Sequence, residues 1–161
     1  MDEATKRISN QLRREAGQED SPALLRLVEW LELPHESQPF SADDLVPLAD
    51  TLVDTALGSP WPARYAWALG KVPHLAAEKI QVMLSRLPAD RIYEELIWQA
   101  TIALQNAATL QPPPDCLREA ERVVASLYRR VKTCAATTPI ASLRREQLDL
   151  LLPAEPARHR Q

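Results

Sequence analysis

Two pairs of adjacent carboxylates, Asp43-Asp44 and Glu94-Glu95, are the residues of this chain best suited by type to acid/base or metal chemistry. Their spacing argues against it. Neighbouring residues on a helix point about 100° apart. Each pair also falls near the start of an expected helix, where acids stabilise the helix dipole. Three histidines, His35, His74 and His159, fall in loops or in the C-terminal tail, and none has a cysteine or second histidine at ligand spacing. Cys116 and Cys134 bracket one expected helix. A rise of about 27 Å would separate them, too far for a disulfide, so they read as free thiols. Three well-separated glycines cannot build a phosphate loop or a dinucleotide fingerprint, and no GxSxG occurs. The sequence therefore predicts a non-enzymatic protein without metal or cofactor.

The elements that must position any binding residues are helices. The chain has 161 residues, which suits one domain, and 45% of them are hydrophobic. Neither Asn-Gly nor Asp-Gly occurs, and no segment shows sustained alternation of apolar and polar residues, so no strand is expected. The fourteen prolines fall mostly at the ends of apolar periodic segments, as helix starts and stops. A weak polar helix is expected over 1–17. Ser21-Pro22 opens a second helix, which ends before Pro34, and Ser41 with Asp44 opens a third, which ends near Gly58. Ser59-Pro60 opens a fourth helix, running to about Val72. A fifth covers 75–87, and Asp90 caps a sixth over 91–108. After the stiff Gln111-Pro112-Pro113-Pro114 segment, Asp115 opens a seventh. Thr138-Pro139 opens the last, with Ile140, Leu143, Leu148, Leu151 and Leu152 as its apolar positions. The expected domain is 1–153, followed by a loose tail, 154–161.

A shift of 35 residues superimposes the apolar positions of two successive helix pairs. Leu45, Leu48 and Leu52 fall on Ile80, Met83 and Leu87, while Tyr65, Ala68 and Leu69 fall on Ala100, Ala103 and Leu104. The segment Ala66-Trp67-Ala68-Leu69-Gly70-Lys71-Val72 resembles the second helix of a HEAT-type repeat, and the Leu45–Leu52 stripe resembles the first helix of the same unit. The resemblance covers about 43–108. It departs from the family pattern at Pro62, where an arginine is common, and at Gln105, where the second copy lacks the glycine. It implies a HEAT-like stack of antiparallel helix hairpins that binds other macromolecules, with flanking pairs as caps. A compact bundle is the alternative.

Charge is unevenly spread around a net of −3. Residues 28–95 carry eleven acids and five bases, and residues 116–161 carry nine bases and five acids, including Arg129-Arg130-Lys132 and Arg144-Arg145. Opposite the main apolar stripe of their helices lie Trp67, Trp98 and Ile102. With Glu94, Glu95, Asp50 and Asp54 around them, they form the expected protein-binding site, because aromatic anchors dominate interfaces and acids steer basic partners. The reading is a protein-binding module of the immunity type, a bacterial inhibitor that neutralises a basic toxin. An adaptor or scaffold subunit is the alternative, and a nucleic-acid-binding or enzymatic repeat protein the second. Arginines interleaved with Glu119 and Glu121 make a poor nucleic-acid stripe. No apolar run is long enough to span a bilayer, and the charged N-terminus lacks a signal-peptide core, so a cytoplasmic location is expected.

Overall fold

The computed structural model describes residues 2–152. The expected tail, 154–161, with His159, lies outside the described residues. Among those described, the fold is all-helical. The helices are α1 (Glu3–Arg14), α2 (Pro22–Leu31), α3 (Leu45–Gly58), α4 (Pro62–Leu69), α5 (Pro73–Arg86), α6 (Glu94–Ala108), α7 (Leu117–Val131) and α8 (Pro139–Leu151), with short 3-10 turns at His35–Ser37, Ala42–Asp44 and Ala89–Arg91.

The packing order is regular. Each helix from α1 to α6 packs on the helix two places further along: α1 on α3, α3 on α5, α5 on α7, and likewise α2 on α4, α4 on α6, α6 on α8. Odd-numbered helices thus make one layer and even-numbered helices the other. Contacts between α3 and α4, between α5 and α6, and between α6 and α7 tie the layers together.

The apolar stripes read from periodicity are the ones buried. Leu48, Ala49 and Leu52 of α3, Ile80, Met83 and Leu84 of α5, and Leu96, Ala100, Ala103, Leu104 and Ala107 of α6 all face the core. Helix starts follow the prolines. The Ser21 hydroxyl accepts from the Leu24 N–H at 3.1 Å, and the Thr138 hydroxyl accepts from the Ala141 N–H at 3.0 Å, each with proline at the first helical position.

Several boundaries differ from expectation. Ser59 binds the Trp61 N–H at 3.0 Å, and α4 begins at Pro62, two residues late, because a second proline there offers its own start. Asp90 caps nothing. It sits in a 3-10 turn, and the α6 N-cap is Tyr93. The seventh helix likewise starts after Cys116 rather than Asp115. Gly58 is the last helical residue of α3 without a left-handed backbone. Ser41 makes no side-chain cap, and Asp44 turns away to α1. Its Oδ2 accepts from the Asp2 N–H at 3.0 Å and the Thr5 hydroxyl at 2.7 Å, which pins α1 to α3.

The largest departure is α8. Of its five expected core positions only Leu148 is buried. Ile140, Leu143 and Leu151 are exposed, Leu152 is half-buried, and Ala141 takes the second buried place. Among the described residues α8 packs mainly on α6 and touches α7 through Tyr128 and Lys132, which leaves part of its apolar surface uncovered.

Within the even layer, α4 and α6 meet in a close contact at Gly70. A Cβ added at Gly70 would stand 3.2 Å from both Cα and Cβ of Ala103 and from the Trp67 carbonyl oxygen. Asn106 closes the contact, its side-chain amide donating to the Gly70 carbonyl at 3.2 Å. Enlarging this seam requires the Ala103 backbone of α6 to give way. Ala103→Leu should therefore lower unfolding free energy by about 1–3 kcal/mol, read from urea denaturation.

Asp44 provides a pH test. The Asp2 N–H and then the Thr5 hydroxyl hold its carboxyl below the usual carboxylate range. The folded state favours the ionised form, so its contribution is present above the ordinary carboxylate pKa and lost as pH falls through the lowered value. The stability gap between the native protein and Asp44→Asn should be largest at about pH 7 and shrink by about pH 3, measured by denaturant titration at both.

Candidate functional site

Of the residues singled out by sequence, five lie on helices of one layer. Trp67 lies on α4, and Glu94, Glu95, Trp98 and Ile102 lie on α6, in the even layer. Trp67, Trp98 and Ile102 are half-buried: they lean on the core cluster without joining it, or remain part-exposed beside it. Asp50 and Asp54 are not brought to this layer. Both are exposed on α3, in the odd layer, where Asp50 pairs with Lys79 of α5 at 2.7 Å and Asp54 meets Arg86 at 3.8 Å.

Trp67 and Trp98 belong to the two helices of the α4–α6 seam. Ala63, Ala66 and Ala68 on α4, and Ala100, Ala103 and Ala107 on α6, are all buried. These small residues share the buried sides of both helices with Tyr65, Leu69, Leu96, Ile97 and Leu104, while Trp67 and Trp98 stay half-buried. Trp30 on α2 and Trp61 just before α4 are half-buried as well, which makes all four tryptophans of the chain part-exposed on or beside the even layer.

Two of these indoles are covered by cations. The Arg64 guanidinium lies 4.9 Å from the Trp67 ring centroid, and the Lys71 ammonium 5.7 Å. Each cation is tethered to an acid from before or after α2: Arg64 to Asp20 at 3.3 Å, Lys71 to Glu32 at 2.8 Å. The Arg144 guanidinium lies 4.7 Å from the Trp98 ring and is tethered to Glu95. The repeated unit is an indole under a cation whose charge is answered by a carboxylate on a neighbouring element. Cation–π attraction of this kind strengthens as water is excluded.

The two carboxylates of α6 diverge onto consecutive arginines of α8. Glu95 receives Arg144 through two nitrogens, Nε at 2.7 Å and Nη2 at 3.3 Å. Glu94, 8% exposed, receives Arg145 Nε at 2.7 Å. Arg145 also donates to the carbonyls of Val131 and Cys134, at 3.1 and 2.7 Å. At the far end of α8, Asp149 accepts from Lys132 at 2.8 Å and from the Tyr128 phenol at 2.7 Å. Lys132 and then Tyr128 hold the Asp149 carboxyl below its usual range. Burial and that carboxylate push the Tyr128 phenol far up, so it stays a neutral donor. The acids of the middle segment and the bases of the C-terminal segment thus answer one another within the chain. The partners Arg144, Arg145, Arg64 and Lys71 were not among the sequence candidates. The opposite signs of residues 28–95 and 116–161 were the available signal.

Two hollows flank α7. A groove of about 830 Å³ lies between α6, α7 and the end of α8. Leu104, Val124 and Leu152 are among its apolar residues, and Arg118, Arg122 and Arg129 are its bases. A smaller one, about 560 Å³, lies beside Tyr93, Glu94 and Arg145. Among the described residues no three His, Cys, Asp or Glu side chains converge as a metal cage requires. His35 and His74 are exposed, and the thiols of Cys116 and Cys134 are free. Within the same residues no helix is long and apolar enough to cross a membrane. What the even layer presents is part-exposed indoles, cations fixed over them and paired carboxylates.

In comparisons with known proteins, the chain matches no family model, no curated protein and no solved structure. The class that can be stated is an all-helical protein with two helix layers, one of them faced with tryptophan.

Removing Arg145 leaves the nearly buried Glu94 without its cation, which is costly unless α8 moves away. In Arg145→Ala, amide protection across α8 should fall on the order of tenfold while that of α3–α6 holds, read by hydrogen exchange. An equal loss throughout the molecule would contradict this assignment of the contact to α8 alone.

Proposed function

We propose that this protein is a non-catalytic binding module for another protein and that the layer of α2, α4, α6 and α8 presents the interface. The observation that carries the reading is the placement of all four tryptophans, none of them fully buried, on or beside that layer. A protein that leaves all four tryptophans part-exposed has anchors to offer a partner. The alternation of packing, each helix on the one two places along, supports a HEAT-like stack, as does the 35-residue correspondence of α3–α4 with α5–α6. In such a stack a row of parallel helices makes a continuous face.

The partner class this reading favours is a basic protein, with the chain acting as an immunity-type inhibitor of a toxin. The support is the acidic balance of residues 28–95. On the tryptophan face those acids are engaged by Arg64, Lys71, Arg144 and Arg145, so a basic partner has to compete with resident cations. An adaptor subunit would use the same face and differ in capturing several components of one assembly.

The test is quantitative capture from native lysate with three baits: the native chain, Trp67→Ala and Asp54→Ala. Trp67 is half-buried, so its loss should cost roughly 1–2 kcal/mol, below the ~3–5 of a core tryptophan, and leave the fold intact. A partner retained by Asp54→Ala and depleted at least about tenfold by Trp67→Ala supports the reading. A partner captured equally by all three baits places the interface elsewhere.

A further inference from the structure

α8 is the least embedded helix of the fold. Only Ala141 and Leu148 are fully buried, while Ile140 is 66% and Leu150 87% exposed. It packs on α6, and its ties to α7 and the segment after it are polar: Tyr128 and Lys132 to Asp149, and Arg145 to the Val131 and Cys134 carbonyls. What holds it on α6 is one leucine, one alanine and a pair of arginine–carboxylate contacts, with the Arg144 guanidinium laid over Trp98. The part-exposed Arg144–Glu95 pair is weak and screened by salt, whereas the largely buried Arg145–Glu94 pair opens only where another cation takes the place of Arg145. Helices with so little apolar burial open at lower cost than the core.

We propose that the α6 surface formed by Glu94, Glu95 and Trp98 is a docking site for a partner protein's amphipathic helix bearing two consecutive arginines, and that α8 is its resident occupant, exchanged when the partner binds. This rests on the reading that the even layer is the interface. What the surface accepts is shown by what lies on it. Glu95 takes a guanidinium through two nitrogens, a geometry lysine cannot supply, and Trp98 takes the flat face of the same group. Glu94, one residue back, diverges to take the next arginine. Arginines at consecutive positions, with an apolar residue three places later as Leu148 follows Arg145, are the pattern to be matched. α8 competes at the high effective concentration of a tethered segment, so a partner displaces it only by adding contacts that α8 lacks. The half-buried Ile102, one turn along α6 from Trp98, is placed to supply one.

The probe is a fluorescein-labelled peptide of residues 137–152, titrated into the native chain and into Arg144→Ala/Arg145→Ala, whose own α8 has lost its clamps. The peptide should bind the double variant at least about tenfold more tightly than the native chain. Binding should weaken as salt rises from about 50 to about 500 mM, and a peptide with both arginines replaced by alanine should not bind. Equal affinity for both chains, or none for a variant that keeps its helical circular dichroism, overturns the proposal. A salt-dependent dimer of the native chain with exchanged α8 overturns it too, in favour of a second copy as occupant. Should the double variant not fold, hydrogen exchange on the native protein decides. α8 amides exchanging faster than those of α6, and faster still in high salt, support the exchange. Equal protection of both helices at either salt excludes it. Partner capture that depends on Trp67 while α8 stays protected would sink this proposal and leave the binding-module reading standing.

Discussion

The close approach of α4 and α6 is the constraint on which the rest of the structure depends. Gly70 and Ala103 leave no space for a larger side chain between the two backbones, and alanines continue the seam on both helices. Interiors are packed to the density of organic crystals, so a seam this thin admits small residues only. Trp67 of α4 and Trp98 of α6 stay half-buried against the edge of the core. The spacing of the even layer is set by backbone contact rather than by interdigitating side chains, which holds these residues in fixed register along the face.

Charge then completes what packing leaves open. Each cation over an indole is also bonded to a carboxylate, so the guanidinium or ammonium is oriented twice, once by the ring and once by the acid. A side chain so constrained loses less entropy on contact with a partner than a free one. The same pairs make the face nearly neutral overall, although the segment it belongs to is acidic. The net charge of a stretch of sequence therefore says little about the field a partner meets, because the countercharge arrives from a distant part of the chain.

How much of this was legible in the sequence differs by element. The stripes of α3, α5 and α6 were readable because helices with neighbours on two or more sides keep strict periodicity, and the burial of Leu48, Ile80, Met83 and Leu104 follows it. The serine and threonine caps before prolines were readable because the bond they make is local. The starts of α6 and α7 were not, since Asp90 and Asp115 carry the residue type of a cap without the geometry. The outward position of Trp67, Trp98 and Ile102 was visible as an angle on a helical wheel. The separation of Asp50 and Asp54 from them was not, because layer membership depends on tertiary packing and not on periodicity. α8 failed for the opposite reason. Its Ile140, Leu143 and Leu151 carry the right residue types, but burial needs a neighbour, and among the described residues none covers them.

That failure bears on how the face works. A terminal helix in a stack must reconcile two demands, covering the apolar edge of the layer before it and tolerating water on its own outer side. α8 meets the first demand with charge more than with apolar area, through Arg144 and Arg145 on Glu95 and Glu94. Ion pairs exchange partners without rebuilding a core, whereas buried leucines do not. α1, at the other end, is fixed differently. It buries Ile8 and Leu12 in the core and is pinned through Thr5 and Asp44, with little left to exchange. The two ends of the fold are therefore not equivalent. α1 is held by packing and the Thr5–Asp44 bond, and α8, the last helix among the described residues, is held chiefly by arginine–carboxylate pairs.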